Sequence, residues 1–250
     1  VGLRYLETYE FSLVAKALQE REVLLRSAPH LIQPLRFVLP HAPHLRPAWM
    51  IRIGLFLYDH LARRELLPGS HGRKRAGSAY GAPLKPEVTR GFVYSDGWVD
   101  DARLVVANAQ DARARGAEVL TRCAVTQAVR DRDAWQLRLK DGRELRSRAL
   151  VNAAGPWAEA FLRDHTRGAD GQALPARGLR LVKGSHIVVD QRFTHDHAYI
   201  FQNADGRILF AIPHQGRFTL IGTTDVELPE HEEPPSRAQI DAAEVDYLCE

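Results

Sequence analysis

The chain has 250 residues, 45% apolar and 26% charged, which is enough to bury a core as one large domain or two ordinary ones and unlike a disordered chain. Its pI of about 9.0 does not mark a nucleic-acid binder: net charge is only +3, Arg outnumbers Lys 29 to 5, and the bases are spread among the acids without aromatic interleaving. No run approaches the roughly 18 apolar residues of a membrane span and no secretory leader is visible, while Cys123 and Cys249 lack metal or redox spacing, so free thiols, a cytoplasmic setting and no metal site are expected.

The opening VGLRYLETYEF starts at Val1, and the only Met is Met50; a segment upstream is expected. A helix is expected from Leu6 to about Ser27, its apolar stripe carried by Leu6, Leu13, Ala17, Val23, Leu24 and Leu25, with Glu20, Arg21, Glu22 and Arg26 mostly outside it. Pro29 ends it, and Pro34, Pro40, Pro43 and Pro47 punctuate an extended stretch, because proline removes a donor and pushes its predecessor out of helix. A second helix spans about 47–64 around AWMIRIGLFLYDHL. Burial in a core is one reading of it, and a helix lying on a membrane surface between Arg46, Arg52, Arg63 and Arg64 is the other.

Residues 68–97, rich in Gly, Ser and Pro, read as an irregular connection. The next helix starts at Asp100 and Asp101, which suit an N-terminus, and ends at Gly116, which suits the position after a C-cap. Three strands follow, AEVLTRCAV, AWQLRLK and RALVNAAG, with a turn at Asp141-Gly142. From Arg177 onward, RLVKGSHIVVD, HAYIFQN, RILFAIP and RFTLIGTTDVE predict an antiparallel sheet with a turn at Asp205-Gly206. A last helix opens at Ser236, with Gln239 completing a capping-box pattern, and runs to Glu250.

No two of the eighteen glycines are spaced G-x-G, and no P-loop, HExxH, GxSxG or EF-hand loop occurs. Four stretches nevertheless carry candidate chemistry. In ALVNAAGPWAE, small Ala153, Ala154 and Gly155 precede a helix opened by Pro156; they allow a ligand close to the backbone, or tight strand–helix packing. KGSHIVV gathers Lys183, Ser185 and His186 at a strand start, with a structural histidine as the plainer reading. IGTTDVE ends a strand with Thr223, Thr224 and Asp225, or makes an ordinary turn. GLRYLE places Arg4 and Tyr5 before a helix, where the Arg fork suits phosphate if it faces a site and is otherwise a surface charge. Spacing alone stops at a globular protein of α/β or α+β class.

In order, GLRYLETYEF, REVLLRSAPHL, LPHAPHLRPAWMIRIGLFLYDHL, GFVYSDGWVDDARLVVANA, LVNAAGPWAE, LVKGSHIVV and IGTTDVE resemble the flavin-dependent glycerol-3-phosphate dehydrogenases, a branch of the D-amino-acid-oxidase-like flavoproteins, across essentially the whole chain. The resemblance implies an internal stretch of such an enzyme, with the pyrophosphate-binding turn upstream. It implies an α+β or α/β fold. Residues 1–8 and 97–165 would belong to a discontinuous Rossmann-like, glutathione-reductase-type FAD domain, and 9–96 and 166–250 to a substrate layer on an antiparallel sheet.

The implied reaction is oxidation of sn-glycerol 3-phosphate to dihydroxyacetone phosphate, with FAD as cofactor and a quinone as acceptor. The setting would be cytoplasmic, peripheral on the inner face of the membrane; a homodimer is left open. Arg4, Tyr5 and His186 would be catalytic, with Arg4, Lys183, Thr223 and Thr224 on the substrate and Val125, Ala153, Ala154, Gly155 and Trp157 on FAD. The isolated 250 residues are expected to be inactive. An oxidase using oxygen and a non-catalytic phosphate-binding module are the alternatives.

Overall fold

The computed structural model describes residues 10–175, 178–229 and 238–249. They divide into two compact units. The first holds the described residues through Asn108, then Ser185–Thr224 and those from Asp241 on; the second holds the described residues of Ala109–Gly184 and Asp225–Ile240. The strand Arg90–Val99 lies whole in the first unit, and the described residues of 166–184 and 225–240 fall to the second.

In the first unit, α1 (Phe11–Ser27), β1 (Ile32–Pro40), α2 (Ala48–His60), β2 (His71–Lys74) and β3 (Arg90–Val99) precede α3 (Asp101–Ala114), which runs on past Asn108. The unit resumes with β9 (His186–Asp190), β10 (Ala198–Gln202), β11 (Ile208–His214), β12 (Phe218–Gly222) and α4 (Ala242–Cys249). A seven-stranded sheet runs β2-β3-β1-β10-β11-β12-β9. All neighbours are antiparallel except β1 and β10. The four strands expected after Arg177 are all present as an antiparallel set, which joins the proline-punctuated β1 through the parallel β1–β10 pair. Pro34 is tolerated there because β10 pairs β1 only at Phe37 and Val38, so the missing N–H removes no central ladder bond.

Alternation along the strands builds two cores. Phe37, Leu39, Phe92, Tyr94 and Ile200 face α1 and α2 through Val14, Leu18, Leu55 and Tyr58. Val38, Val93, Tyr199 and Ala211 face the other way, against Phe193, Tyr80 and Leu84.

Three expectations are corrected here. The region 68–97 is not merely irregular, because β3 pairs β1 over its whole length from Ile32↔Val99 to Pro40↔Gly91. It hid because a strand buried on both faces need not alternate, and Gly91 and Gly97 weaken its signal. Gly91 is needed, since a Cβ there would lie 2.8 Å from the Leu39 carbonyl oxygen.

The buried stripe of α1 is Val14, Leu18, Arg21, Glu22 and Leu25, while Leu13, Val23 and Leu24 are exposed. The Arg21 guanidinium donates to the Tyr58 hydroxyl (3.0 Å) and Asp96 (3.1 Å), and Glu22 accepts from the Leu66 amide (3.1 Å). These partners let the charges sit inside. The last helix starts at Ala242, not Ser236, which lies outside the described residues; Gln239 precedes the helix. Asp241 and Glu244 form the capping box instead, Asp241 accepting from the Glu244 amide (2.9 Å) and Glu244 from the Asp241 amide (3.0 Å). In α2 the core reading holds for one arc, with Leu55 and Tyr58 fully buried, while Trp49, Ile53, Phe56 and Leu57 on another arc are exposed.

In the second unit, β4 (Val125–Asp131), β5 (Ala134–Leu139), β6 (Glu144–Ser147) and β7 (Thr166–Arg167) make a sheet in the order β6-β5-β4-β7, and β8 (Val182–Lys183) pairs with β13 (Val226–Glu227). The α3 start and end signals are where expected: Asp100 accepts from the Arg103 amide (3.1 Å) and Gly116 takes φ +95°. The Asp141-Gly142 turn joins β5 to β6. Two expected strands do not form. Residues 117–124 are broken by a turn in which Arg122 has φ +56°, and 149–154 run unpaired with Val151 exposed. A strand is stable only as part of a ladder, and no described strand offers one to either segment. The architecture is α+β, with mixed sheets and helices.

Candidate functional site

At one edge of the seven-stranded sheet, His186 opens β9 and is paired with Gly222, the last residue of β12. Cross-strand partners share a face. The register Phe210↔Gly222↔His186 therefore puts the imidazole on the same face as Phe210. The ring lies against the Gly222 backbone, where a Cβ would come within 2.6 Å of His186 Cγ, so glycine is what lets the histidine lie there. Burial alone pushes the His186 pKa below the ordinary histidine value, because a desolvated ring resists the charged form. At neutral pH it is a neutral imidazole, able to accept a proton.

On the same face, a cavity of about 680 Å³ opens between α1 and the sheet. Leu13, Leu18, Phe37, Trp98, Phe210 and Ile212 line it, with Arg21, Tyr58 and Asp96 also on its wall. Burial, then the Asp96 charge, raises the Tyr58 pKa, so its hydroxyl keeps its proton.

Beyond Gly222 the chain leaves the ladder. The Gly222–Thr223 peptide is cis, and the half-buried Thr223 donates its hydroxyl to the Thr224 carbonyl (3.1 Å). Thr224 is buried, 2% exposed. Its hydroxyl accepts from the Ser185 amide (2.9 Å) and donates to Glu244 (2.6 Å), to which the Ser185 hydroxyl also donates (2.8 Å). The structure thus brings His186, Thr223 and Thr224 together, with Thr224 turned inward. Glu244 escaped the sequence reading, although the D-x-x-E spacing of Asp241 and Glu244 was the signal for it.

The remaining candidates lie elsewhere. Lys183 sits in β8 of the second unit, its ammonium donating to the Gln239 carbonyl (3.0 Å). Val125 opens β4 just before a bulge, rather than following a strand. Ala153 and Ala154 form a turn held by Asn152, which accepts from the Ala154 amide (3.2 Å) and donates to the Ala158 carbonyl (2.8 Å). Gly155 takes φ +58° and opens a 3-10 turn to the half-exposed Trp157. No bulky side chain stands on this turn before Trp157, so it can meet a flat ligand through its backbone. Arg4 and Tyr5 lie outside the described residues. Among the described residues no three His, Cys, Asp or Glu gather as a metal site, and no helix is long and apolar enough to cross a membrane.

One face of the sheet thus carries an apolar cavity and, on the strand at its edge among the described residues, a histidine whose burial disfavours the charged form. The family described as FAD dependent oxidoreductase (DAO) matches residues 1–250. The chain belongs to that family, whose cofactor is FAD. It is 55% identical over 253 residues to a glycerol-3-phosphate dehydrogenase of Pseudomonas aeruginosa, covering 100% of this chain and 47% of that protein. It is 47% identical over 252 residues to a D-erythritol 1-phosphate dehydrogenase of Brucella abortus, covering 99% and 49%. The fold superposes on glycerol-3-phosphate dehydrogenase from Bacillus halodurans complexed with FAD, with a TM-score of 0.67 at 26% identity, over 92% of this chain and 41% of that one. The chain thus spans about half the length of the relatives it matches.

Proposed function

We propose that this chain is the substrate-facing part of an FAD-dependent dehydrogenase that oxidises sn-glycerol 3-phosphate to dihydroxyacetone phosphate. The observation that carries the reading is His186, a neutral imidazole on the cavity face, in a chain 55% identical to a glycerol-3-phosphate dehydrogenase. The residues present suit FAD: the small-residue turn at Ala153, Ala154 and Gly155 leaves its backbone open to a flat ring system. When bound, FAD supplies the acceptor for the hydride that leaves carbon 2 of the substrate. The chain's own part is to hold the substrate and take its proton. His186 accepts the hydroxyl proton as the carbonyl forms, Thr223 orients the hydroxyls, and Arg4 grips the phosphate as a charged fork. Ala153, Ala154, Gly155, Trp157 and Val125 hold the cofactor, and Lys183 adds positive charge for the substrate.

The electrons go on to a quinone at the inner face of the cell membrane. The arc of Trp49, Ile53, Phe56 and Leu57 on α2, flanked by Arg46, Arg52 and Arg63, supports a peripheral contact with anionic lipid. The 250 residues alone are expected to turn over no substrate, since no G-x-G pyrophosphate turn occurs among them.

The test is anaerobic mixing of the FAD-loaded enzyme with glycerol 3-phosphate or D-erythritol 1-phosphate, followed by quinone or oxygen. Bleaching of the flavin band by the glycerol ester and recovery on adding quinone are expected. Bleaching by the erythritol ester alone would move the substrate, rapid peroxide formation would make the enzyme an oxidase, and no bleaching would end the proposal. In the same enzyme Arg4→Ala should weaken substrate use about tenfold or more, from loss of a charge-assisted contact of roughly 1.5–3 kcal/mol, with flavin content unchanged. Unaltered kinetics would place Arg4 outside the site.

A further inference from the structure

Among the described residues β9 is an edge strand, with β12 as its one paired neighbour at the end that carries His186. The ladder with β12 finishes at His186↔Gly222. One step further the backbones still hold each other, the Thr224 amide donating to the Ser185 carbonyl (3.2 Å) and the Ser185 amide to the Thr224 hydroxyl (2.9 Å). Both hydroxyls then converge on a single oxygen, Oε1 of Glu244, at 2.8 and 2.6 Å. That carboxylate is 4% exposed, and its other oxygen accepts from the Asp241 amide.

The chemistry leaves little freedom. Each hydroxyl has one proton, and both are directed at Oε1 of Glu244, which accepts them. The Thr224 oxygen then turns a lone pair to the Ser185 amide, and the chain of donation runs one way, from Ser185 N–H through Thr224 to Glu244. Glutamine in the same place cannot reproduce this. If its oxygen faces the hydroxyls, its NH2 faces the Asp241 amide, donor against donor; flipped, the NH2 faces both hydroxyls.

The helix that carries Glu244 has a second, separate anchor. The Tyr247 hydroxyl accepts from Asn203 (3.0 Å), and the Arg207 guanidinium lies 3.5 Å from the centre of the Tyr247 ring. This anchor does not involve the carboxylate, so the clamp can be tested apart from the docking of the helix.

We propose that Glu244 is a positioning residue: by fixing the Ser185 and Thr224 hydroxyls it sets the strand end on which His186 and Thr223 meet the substrate. This rests on the assignment of His186 and Thr223 to the site under Proposed function. It is tested in the FAD-loaded enzyme labelled with 13Cε1-histidine, the His186 signal being assigned with His186→Gln.

In Glu244→Ala and Glu244→Gln the His186 titration midpoint should rise toward the ordinary histidine value, as the ring comes off Gly222. KM for glycerol 3-phosphate should increase about tenfold, as expected for a lost hydrogen-bond constraint, with flavin content unchanged. Tyr247→Phe, which touches only the second anchor, should leave the His186 signal in place. An unmoved His186 in folded Glu244→Ala would overturn the proposal. So would an equal movement in Tyr247→Phe, because the effect would then be general packing. If neither Glu244 variant folds, Thr224→Val removes one hydroxyl at nearly constant volume and decides by the same signal. An enzyme that leaves glycerol 3-phosphate untouched would strike the proposed reaction, while the histidine titration would still judge the clamp.

Discussion

The two units solve the problem of burial differently. The seven-stranded sheet has a core on each face, and even some charges are inside: Arg21 and Glu22 are buried, Arg21 donating to Asp96 and Tyr58 and Glu22 accepting from backbone amides. The four-stranded sheet is thin. Its well-buried apolar residues are small or few, Ala128, Ala134 and Leu139, and the apolar stretch at 149–154 leaves Val151 85% exposed. The first unit carries most of its stabilising contacts within itself. The second has apolar surface that the described residues do not cover. The candidate chemistry divides in the same way, with proton-accepting and positioning side chains on the well-packed sheet and backbone-rich, small-residue surface on the thin one.

The sharpest way to break that contrast is to unpair a buried charge. Asp96→Ala removes the nearer of two carboxylates beside the buried Arg21 guanidinium, Glu22 staying at 3.7 Å, and should cost the first unit up to about 3–5 kcal/mol in urea unfolding. A loss under about 1 kcal/mol would mean that water already reaches the pair, as at a surface ion pair. Next in size is Gly91→Ala, whose new methyl would press on the Leu39 carbonyl between β3 and β1; about 1–3 kcal/mol is expected from overpacking. No loss would mean that the two strands can move apart and that the sheet is less tightly joined than its register implies.

These same residues show what a sequence reveals. Alternating strands with polar turns were legible from β9 to β12, and so was the α3 start at Asp100, because those signals are local. β3 was not, since a strand sandwiched between two others takes its buried residues from both faces and shows no period. Arg21 and Glu22 were placed outside for a related reason: their partners, at Tyr58, Asp96 and Leu66, are distant in sequence, and composition alone assigns charge to the surface. In the candidate site His186 and Gly222 stood in motifs that drew attention, but their contact depends on cross-strand register. Glu244 belonged to the helix start that was read a few residues too early. Strands expected at 117–124 and 149–154 had the right composition and lacked a ladder, which no local pattern can supply.

A third effect is set by pH. Burial holds the pKa values of His71, His186 and His195 below the ordinary 6.5, all in the first unit. Below that value the unfolded chain binds protons more readily than the folded one, so the penalty is absent above pH 6.5 and grows as pH falls through it toward the folded values. The melting temperature should therefore drop between pH 7 and 5. His195→Asn should flatten the drop, though it also removes the contact between the His195 ring and the Tyr199 hydroxyl (2.9 Å), so the slope, not the absolute stability, is the readout. An unchanged slope would remove His195 from the acid response.

The smallest expected effect tests the thin unit directly. Val151 has no packing to lose in the structure described, so Val151→Ser should change stability by less than about 0.5 kcal/mol, the range of an exposed substitution. The outcome discriminates because an exposed valine and a covered one respond oppositely to a hydroxyl. If the valine is in water, serine is harmless; if other surface lies over it, serine forfeits burial worth on the order of 1–2 kcal/mol and strands a polar group. Comparing the 250-residue chain with the FAD-loaded enzyme separates the two cases. Tolerance in the chain with a clear loss in the enzyme would mean that the apolar segment at 149–154 is completed by another surface, and that the contrast between the units belongs to this stretch of chain. Tolerance in both would make the exposed segment a property of the second unit itself.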